Sequence, residues 1–309
     1  MNTFGKHFSF TSFGESHGAA VGGVLDGVPA GLTIDINLVR HELLRRSGQG
    51  ANGVSPRAIH ETDDVEWLSG VILQDGQWIS LGSPIAFLIR NTDTRSEDYE
   101  WLRHSFRPGH ADYAYQCKYG IRDWRGGGRS SARETAARVV AGAIAKMILR
   151  TRGIAIHAEL VQVGTEKDPA RFDEVLTEIQ RQGDSIGGIV QCTVTGLPAG
   201  KGEPIFDKLQ SRLAYAMMSI NACKGFDYGT GFEGIGLHGS DLYSNGQAPS
   251  PSSGGIEGGI SNGLPIIFRC IFKPVATIAR MYKGRHDACV AVRAVPVVEA
   301  MTALVLVDL

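Results

Sequence analysis

The chain has 309 residues, 43% of them hydrophobic, so it can bury a substantial core in one large domain or two. Its 31 lysines and arginines nearly balance 32 aspartates and glutamates, so the charge of the whole molecule gives no reason to propose nucleic acid or membrane partners. The five cysteines are scattered without metal-ligand spacing, and neither a secretion pattern nor a membrane-length apolar run is present. We therefore expect reduced thiols, no metal and a cytoplasmic location.

The N-terminal residues predict a strand followed by a glycine-rich turn. Residues 7–12 alternate polar and aromatic side chains, and Gly14-Glu15-Ser16-His17-Gly18 follows. This segment matches Gly-x-Ser-x-Gly, the nucleophile elbow, which needs a strand before it and a helix after it. Residues 21–25 are strand-like instead, so a serine hydrolase built on Ser16 is kept only as an alternative. His17 is either a site residue or an ordinary polar residue of the turn.

Two similar turns indicate an internal repeat. Val28-Pro29-Ala30-Gly31 leads to a predicted helix with Asp35 as its cap, and Leu197-Pro198-Ala199-Gly200 leads to another helix with Leu209 and Leu213 on its apolar face. Between the first helix and the centre of the chain, residues 65–73 and 78–89 resemble two strands. The pattern predicts strands and helices that are related by a pseudo-twofold axis.

An arginine-rich stretch around Gly126-Gly127-Gly128 is the centre of the sequence. Ser131 and Glu134 have the spacing of a capping box, so a helix should begin just after Ser131, and Gly153 is its expected stop. Helix starts and guanidinium groups both favour anions, and glycines let a ligand approach the backbone. The stretch is either an anion site or a solvated loop that enters a capped helix. Its arginines are Arg107, Arg122, Arg125, Arg129 and Arg133.

Beyond the central helix, the patterns predict scaffold elements and two glycine-containing segments. Residues 238–263 read as one long loop that could fold over a ligand. Residues 283–289 place a cation, an imidazole and a carboxylate side by side, either as a surface cluster or as part of a site. The scaffold comprises a strand at 154–163, a polar helix at 169–183, a strand at 266–272 and a terminal core helix at 294–309.

Six segments together resemble one family, the chorismate synthases, in their order and spacing. They are residues 14–29, 107–115, 126–144, 219–225, 254–263 and 285–301. The resemblance implies an α+β fold over residues 1–309 as a single domain, with a layer of α-helices between two antiparallel β-sheets and an internal pseudo-twofold repeat. It also implies a homotetramer.

The reaction that the resemblance implies is the 1,4-anti elimination of phosphate from 5-enolpyruvylshikimate 3-phosphate to give chorismate. Family members are carbon-oxygen lyases that need reduced FMN without net redox change, and some reduce the flavin themselves with NADPH. The substrate carries two carboxylates and a phosphate, so its binding demands several guanidinium groups. The proton to be removed lies on an unactivated carbon, which explains the need for an electron-rich flavin. A non-catalytic binder of phosphorylated ligands is the second alternative.

The resemblance also implies roles for individual residues. His17 would protonate the departing phosphate, His110 would manage the protonation of the reduced flavin, and Asp287 would relay a proton at flavin N5. The implied substrate or NADPH contacts are Arg45, Arg46, Arg107 and Arg133, with Arg57 as a candidate for a second NADPH-linked arginine. The implied flavin contacts are Arg129, Ser130, Ser131, Asn221, Ala222, Gly258, Lys273, Pro274, Val275, Ala276, Thr277 and Arg285. Segments around Gly246 and at 277–283 look shorter than is usual for the family.

Overall fold

The computed structural model describes residues 1–48, 51, 63–92, 94–243, 246, 248–282 and 286–309. Two residues with predicted roles, Arg57 and Arg285, lie outside the described residues. The strands are β1 Thr3–Phe4, β2 Ser9–Gly14, β3 Ala20–Asp26, β4 Thr33–Ile34, β5 Val65–Trp67, β6 Val71–Gln74, β7 Gln77–Ser80, β8 Ile85–Arg90, β9 Ala155–Val163, β10 Gly188–Thr195, β11 Cys223–Tyr228, β12 Ile256–Glu257, β13 Ile260–Ser261 and β14 Ile266–Phe272. The α-helices are α1 Ile36–Ser47, α2 Asp112–Tyr119, α3 Thr135–Thr151, α4 Phe172–Arg181, α5 Leu209–Met218, α6 Gly239–Tyr243 and α7 Ala291–Val307.

Two antiparallel sheets enclose a layer of helices, which confirms the predicted fold class. The first sheet has the strand order β1-β2-β3-β8-β5, and the second has the order β11-β14-β10-β9. Helix α3 packs on the first sheet, α7 packs on the second, and the two helices pack against each other. They approach so closely that a Cβ at Gly142 of α3 would lie 2.3 Å from the Ala300 Cβ of α7. A glycine is therefore required at this crossing.

The two Pro-Ala-Gly turns make matching hydrogen bonds, as a pseudo-twofold repeat requires. In the first turn, Ser80 Oγ donates to the Pro29 carbonyl at 2.6 Å, and Gly31 N donates to the Ser80 carbonyl at 2.8 Å. In the second, Ser261 Oγ donates to the Pro198 carbonyl at 2.7 Å, and the N–H of the turn glycine donates to the Ser261 carbonyl at 2.8 Å. Helix α1 follows the first turn and α5 follows the second, so the two halves of the chain share the same arrangement of a turn and a helix.

The helix boundaries follow from local signals. Asp35 caps α1 by accepting a hydrogen bond from Leu38 N at 3.0 Å, and Gly48 ends it in the left-handed conformation with φ 69°. Helix α7 is apolar on nearly every side and is buried from Ala294 onward apart from Val295, which confirms the predicted terminal core helix. Among the helices that the structure describes, none is long and apolar enough to cross a membrane.

Two predicted segments differ from the structure. The strands expected at 65–73 and 78–89 divide into four, because turns at Gly70 and Gly82 send β6 and β7 into a separate sheet with β4. The long loop expected at 238–263 contains the short helix α6 and the β12–β13 pair. These elements are too short for a periodic apolar pattern, so periodicity could not reveal them.

Candidate active site

The arginine-rich stretch lines a cavity of about 1730 Å³. Ligand pockets commonly measure about 300–1,000 Å³, so this cavity is large enough for two ligands. The start of α2, the loop before α3, the turn before β11 and the segment after β14 form its wall. Predicted site residues that line it are Arg107, His110, Arg129, Ser130, Ser131, Asn221, Ala222, Lys273, Val275, Ala276 and Thr277.

The three consecutive glycines pack against three different functional side chains. A Cβ at Gly126 would lie 2.1 Å from His17 Cε1, and a Cβ at Gly127 would lie 2.8 Å from His110 Cε1. A Cβ at Gly128 would lie 2.8 Å from a carboxylate oxygen of Glu15, and all three glycines have positive φ. The side of the loop where Cβ atoms would stand is therefore filled by protein side chains. The sequence alone predicts that these glycines make room for a ligand, but on this side they make room for side chains of the protein itself.

The structure predicts that Gly126→Ala disturbs the site more than it disturbs the fold. The new methyl group would displace the His17 ring, so we expect kcat to fall about 100-fold, because small misplacements of reacting groups have effects of this size. Gly153→Ala is the matched control, since φ is 74° there and no atom lies within 4 Å of its Cβ. Phosphate release and thermal unfolding should be measured for both variants. Equal loss of activity in both would show that backbone strain alone is responsible.

His17 is buried in the turn between β2 and β3, with 7% of its surface exposed. Its Nδ1 lies 3.2 Å from Ser16 Oγ, and that hydroxyl donates to the Arg125 carbonyl at 3.5 Å. Ser16 is only 1% exposed, and the strand β3 follows this turn where a nucleophile elbow requires a helix. The serine hydrolase alternative is therefore not supported.

His110 belongs to a buried ion-pair network. Asp112 accepts from Arg107 Nε at 2.8 Å and from Arg107 Nη2 at 2.9 Å, and its Oδ1 lies 2.8 Å from His110 Nδ1. Burial would raise the pKa of Asp112, but the hydrogen bonds and charges of Arg107 and His110 outweigh burial and hold this pKa well below its ordinary value. The ionised carboxylate accepts the Nδ1 proton of His110, which leaves Nε2 as the atom that can exchange a proton.

Several cations near the cavity are neutralised by carboxylates of the chain. Arg125 Nε lies 2.9 Å from a carboxylate oxygen of Asp123, and Arg138 Nη2 lies 2.9 Å from one of Glu134. Arg107 is paired with Asp112 in the same way. Such pairs hold the loop together but contribute little net positive charge to the cavity.

Other cations keep their charge uncompensated. Arg129 donates to Ser12 Oγ at 2.7 Å, and Lys273 donates to the Gly109 carbonyl at 2.8 Å. Burial and the nearby charge of Lys224 lower the pKa of Lys273. The cavity is therefore electropositive, as a site for a polyanion should be. Within the described part of the chain, the cavity-lining cations without a carboxylate at ion-pair distance are Arg122, Arg129, Lys224 and Lys273.

The part of the cavity wall formed by Asn221 and Ala222 suits a flavin. Asn221 donates through Nδ2 to the Ser130 carbonyl at 3.0 Å, while its buried Oδ1 has no hydrogen-bond partner in the described chain. Buried carbonyl oxygens rarely stay unpaired, so this oxygen is an acceptor for a donor from a ligand or an ordered water. Ala222 beside it has φ 65°, an uncommon conformation for a residue with a side chain. The flavin N–H groups and phosphate match this acceptor and the cations described above.

Arg45, Arg46 and Arg133 do not line the large cavity. Arg45 pairs with Glu299 at 2.7 Å and lines a separate cavity of about 400 Å³. Arg46 and Arg133 are buried and share the carboxylate of Asp63, at 3.3 and 2.5 Å. These arginines hold α1, α3 and the chain before β5 together, and their predicted contacts with substrate or NADPH stay predictions.

Four further predicted residues also do not line the large cavity themselves. One is His17, which packs against the cavity-lining Gly126. Asp287 pairs with Arg293 at 3.2 Å, and Gly258 lines a different cavity of about 910 Å³. Pro274 lies between the wall residues Lys273 and Val275 without lining the cavity itself. The structure therefore brings together the two predicted histidines and most of the predicted flavin contacts.

Sequence reasoning assigned no role to several residues of this site. Asp112 could have been found from the spacing Arg107-x-x-His110-x-Asp112, because a carboxylate two residues after a histidine can orient its ring. Glu15 lines the cavity, and burial raises its pKa. Tyr99 contacts His17 from a distant segment and had no sequence signal.

Comparison with known proteins extends this picture. Residues 8–309 match the family model "Chorismate synthase". The chain is similar to the chorismate synthase of Christiangramia forsetii, with 47% identity over 350 positions that cover 99% of this chain and 96% of the relative. The chorismate synthase of Phocaeicola vulgatus is also 47% identical, with coverage of 100% and 97%. A solved structure titled "Crystal Structure of Chorismate Synthase" has a TM-score of 0.76 and 32% identity, covering 99% of this chain and 92% of that chain.

The fold, the electropositive cavity and these matches define an enzyme that acts on a small molecule, a carbon-oxygen lyase. The chain belongs to the chorismate synthase family. Enzymes of this family use a reduced flavin. The alignment with the first relative spans 350 positions against 309 residues here, so at least 41 of its positions are gaps in this chain. This difference agrees with the shortened segments that the sequence indicates.

Proposed function

We propose that this chain converts 5-enolpyruvylshikimate 3-phosphate to chorismate by 1,4-anti elimination of phosphate, with reduced FMN as cofactor and no net redox change. The observation that carries the proposal is the packing of His17 and His110 against adjacent glycines of one loop. That loop lines a cavity with uncompensated cations and room for two ligands. Neither a serine hydrolase nor a mere binder requires two imidazoles held in this way.

The substrate would be held by charge and by fixed hydrogen-bond donors. Arg107 uses Nε and Nη2 on Asp112, and no acceptor among the described residues takes its Nη1, which can therefore bind a carboxylate or phosphate of the substrate. Because Asp112 and the protein interior fix the guanidinium group, little side-chain freedom is lost when an anion binds. Lys273 and Arg129 add positive charge on other parts of the wall.

Reduced FMN would be held by Arg129, Ser130, Ser131, Asn221, Ala222 and Lys273 to Thr277, with NADPH as the candidate reductant. When bound, the reduced flavin supplies electron density to the substrate ring. The unpaired Oδ1 of Asn221 supports this assignment, because it needs a donor that the described chain does not provide. Roles of Gly258, Arg285 and Asp287 in cofactor binding or proton relay belong to the same proposal.

The two histidines would handle the protons. His17, enclosed by Gly126 and Ser16, would donate a proton to the oxygen of the departing phosphate. His110, with Nδ1 held by Asp112, would hold or release a proton at Nε2. The His17 ring is buried, which limits the access of water to it, whereas the His110 side chain is 19% exposed and lines the cavity.

The proposal also covers the assembly and location of the protein. We propose a single domain over residues 1–309 and a homotetramer in the cytoplasm. Exposed apolar side chains support association between copies, because Phe206 and Ile235 are each 93% exposed and Phe232 is 75% exposed.

The direct test is an anaerobic assay of phosphate release from 5-enolpyruvylshikimate 3-phosphate under two conditions, with photoreduced FMN and with oxidised FMN plus NADPH. We expect turnover with photoreduced FMN and a loss of about 10²–10⁴-fold in His17→Ala and His110→Ala, the usual contribution of acid-base groups. Turnover with oxidised FMN and NADPH would assign flavin reduction to this chain. Tight substrate binding without phosphate release under either condition would favour a non-catalytic binder and refute the proposal.

A further inference from the structure

One aromatic ring joins two parts of the candidate site. The ring of Tyr99 lies 5.2 Å from the His17 ring, centroid to centroid, with the ring planes at 74°. The Cζ atom of Arg107 lies 6.0 Å from the centroid of the same Tyr99 ring. Tyr99 belongs to the 3-10 helix Ser96–Arg103, which precedes Arg107 and lies outside the glycine loop. It therefore contacts both the turn that holds His17 and the network that holds His110.

Tyr99 adds a ring contact to those that His17 makes with Gly126 and Ser16. Gly126 leaves room for the ring on one side, and Ser16 Oγ contacts Nδ1 at 3.2 Å. Neither contact fixes the plane of the imidazole, because a hydroxyl group rotates and a glycine only provides space. An edge-to-face contact with another ring does favour one plane, since the positive edge of one ring meets the negative face of the other.

Two sets of contacts hold in place the 3-10 helix that carries Tyr99. Arg122 donates to the carbonyls of Leu102 and Ser105, the latter at 2.9 Å, and its guanidinium lies 5.0 Å from the Phe106 ring centroid. On the other side, Trp101 stacks on Tyr282 with centroids 5.0 Å apart and planes at 7°. The 3-10 helix is thus attached at two places, so that its tyrosine can act as a fixed wall.

We infer that Tyr99 is a positioning residue, which holds the imidazole of His17 in the orientation needed for proton transfer to the substrate. The inference rests on the proposed function, because it assigns to Tyr99 an effect on the proton donor of that reaction. Proton transfer requires the donor and acceptor atoms to be within hydrogen-bond reach and aligned. A ring that can turn about its side-chain bonds spends only part of its time aligned, which lowers kcat and leaves substrate binding nearly unchanged.

The kinetic test compares Tyr99→Leu with Tyr99→Phe. Loss of the ring in Tyr99→Leu should lower kcat about 10–100-fold with little change in KM, since misplacement of a catalytic group by about 1 Å has effects of this size. Tyr99→Phe keeps the ring and should retain most of kcat. Tyr215→Leu is the control, because it removes a ring that stacks on Phe4, at 5.9 Å between centroids, and that does not line the cavity. Unchanged kcat in Tyr99→Leu, or an equal loss in Tyr215→Leu, would overturn the inference.

A second readout needs neither substrate nor flavin. In protein with isotope-labelled histidine, the Cε1–H signal of His17, assigned by its absence in His17→Gln, should move in Tyr99→Leu and stay near its original position in Tyr99→Phe. A signal that does not move in Tyr99→Leu contradicts the proposed contact. If His17→Ala keeps full turnover, the proposed function of His17 fails, while the shift of this signal still reports whether Tyr99 orients the ring. The two failures can therefore be distinguished.

Discussion

Replacing Asp112 by asparagine is expected to lower kcat by about 10²–10⁴-fold, the range associated with acid-base groups. Asp112 is buried, and it accepts hydrogen bonds from Arg107 Nε and Nη2 and from His110 Nδ1. An amide of similar size cannot accept all of these bonds and carries no charge. The imidazole would lose the partner that sets its tautomer, and the guanidinium group would lose its counter-ion. We therefore expect the variant to fold correctly but to leave the His110 imidazole misoriented for proton transfer.

The measurement is phosphate release by Asp112→Asn under anaerobic conditions, together with its thermal unfolding. Asp227→Asn is a suitable control, because Asp227 binds Arg269 Nε at 3.0 Å and Nη2 at 2.7 Å in the same fork arrangement but has no hydrogen bond to a histidine within the described chain. We expect the control to keep its kcat. If Asp112→Asn keeps the activity of the unmodified chain, Asp112 does not orient His110 for the reaction.

Replacing Glu299 by glutamine is expected to lower the stability of the fold substantially. Glu299 is 2% exposed and accepts from Arg45 Nη1 at 2.7 Å, from Lys146 Nζ at 2.5 Å and from the backbone N–H of Ala158 at 2.8 Å. Breaking a buried ion pair by removing one partner commonly costs about 3–5 kcal/mol. We expect a value near the lower end, about 3 kcal/mol, because Glu42 still accepts from both cations in the variant.

Urea unfolding of Glu299→Gln tests this expectation, with Glu178→Gln as the control. The pKa of Glu178, like that of Glu299, is lowered to about 2, through hydrogen bonds from Arg181 and Gln182, but Glu178 is exposed to solvent. Solvent screens such a pair, so the unfolding midpoint of Glu178→Gln should not change measurably. Equal midpoints for both variants would contradict the structural role of Glu299.

The same carboxylate predicts a pH dependence. Burial would raise the pKa of Glu299, but hydrogen bonds and charges from Arg45 and Lys146 outweigh burial and lower the pKa from 4.5 to about 2. Because the folded-state pKa lies below the unfolded-state value, the stabilisation is complete above about pH 4.5 and is lost as pH falls through about 2. As pH falls from about 4.5 to about 2, the free energy of unfolding of the unsubstituted chain should decrease more than that of Glu299→Gln. Urea unfolding at each pH measures this difference.

The start of α3 shows which features local sequence patterns predict and which they do not. The sequence predicts a helix just after Ser131, and the structure has a 3-10 turn at Ala132–Glu134 followed by α3 from Thr135. Ser131 Oγ accepts from Arg133 N at 3.4 Å, as a cap should. Glu134, however, does not complete the capping box, because its carboxylate pairs with Arg138 at 2.9 Å. The spacing of Ser131 and Glu134 located the start of the helix. It could not show whether the Glu134 carboxylate bonds to the backbone of the cap or to Arg138.

The arginines show the same limit at the level of the site. Their number in one stretch indicates an anion site, and the cavity lies there. Whether a given arginine keeps its charge available depends on which carboxylate the fold brings to it. Asp63 reaches Arg46 and Arg133 from a distant segment, whereas the hydrogen bonds of Arg129 to β2 go to uncharged oxygens of Gly14 and Ser12. Charge composition is a property of the sequence, but charge compensation is a property of the fold.

The sequence by itself determined the helix and strand positions that depend on short-range signals, such as the Asp35 cap, the repeated Pro-Ala-Gly turns and the apolar terminal helix. It also determined the family, because six motifs occur in one order. Only the tertiary structure decided that the glycine loop holds His17 and His110, and that Tyr99 lies against His17. The reason is physical: backbone periodicity and capping act over a few residues, while side-chain contacts between distant segments depend on how sheets and helices pack.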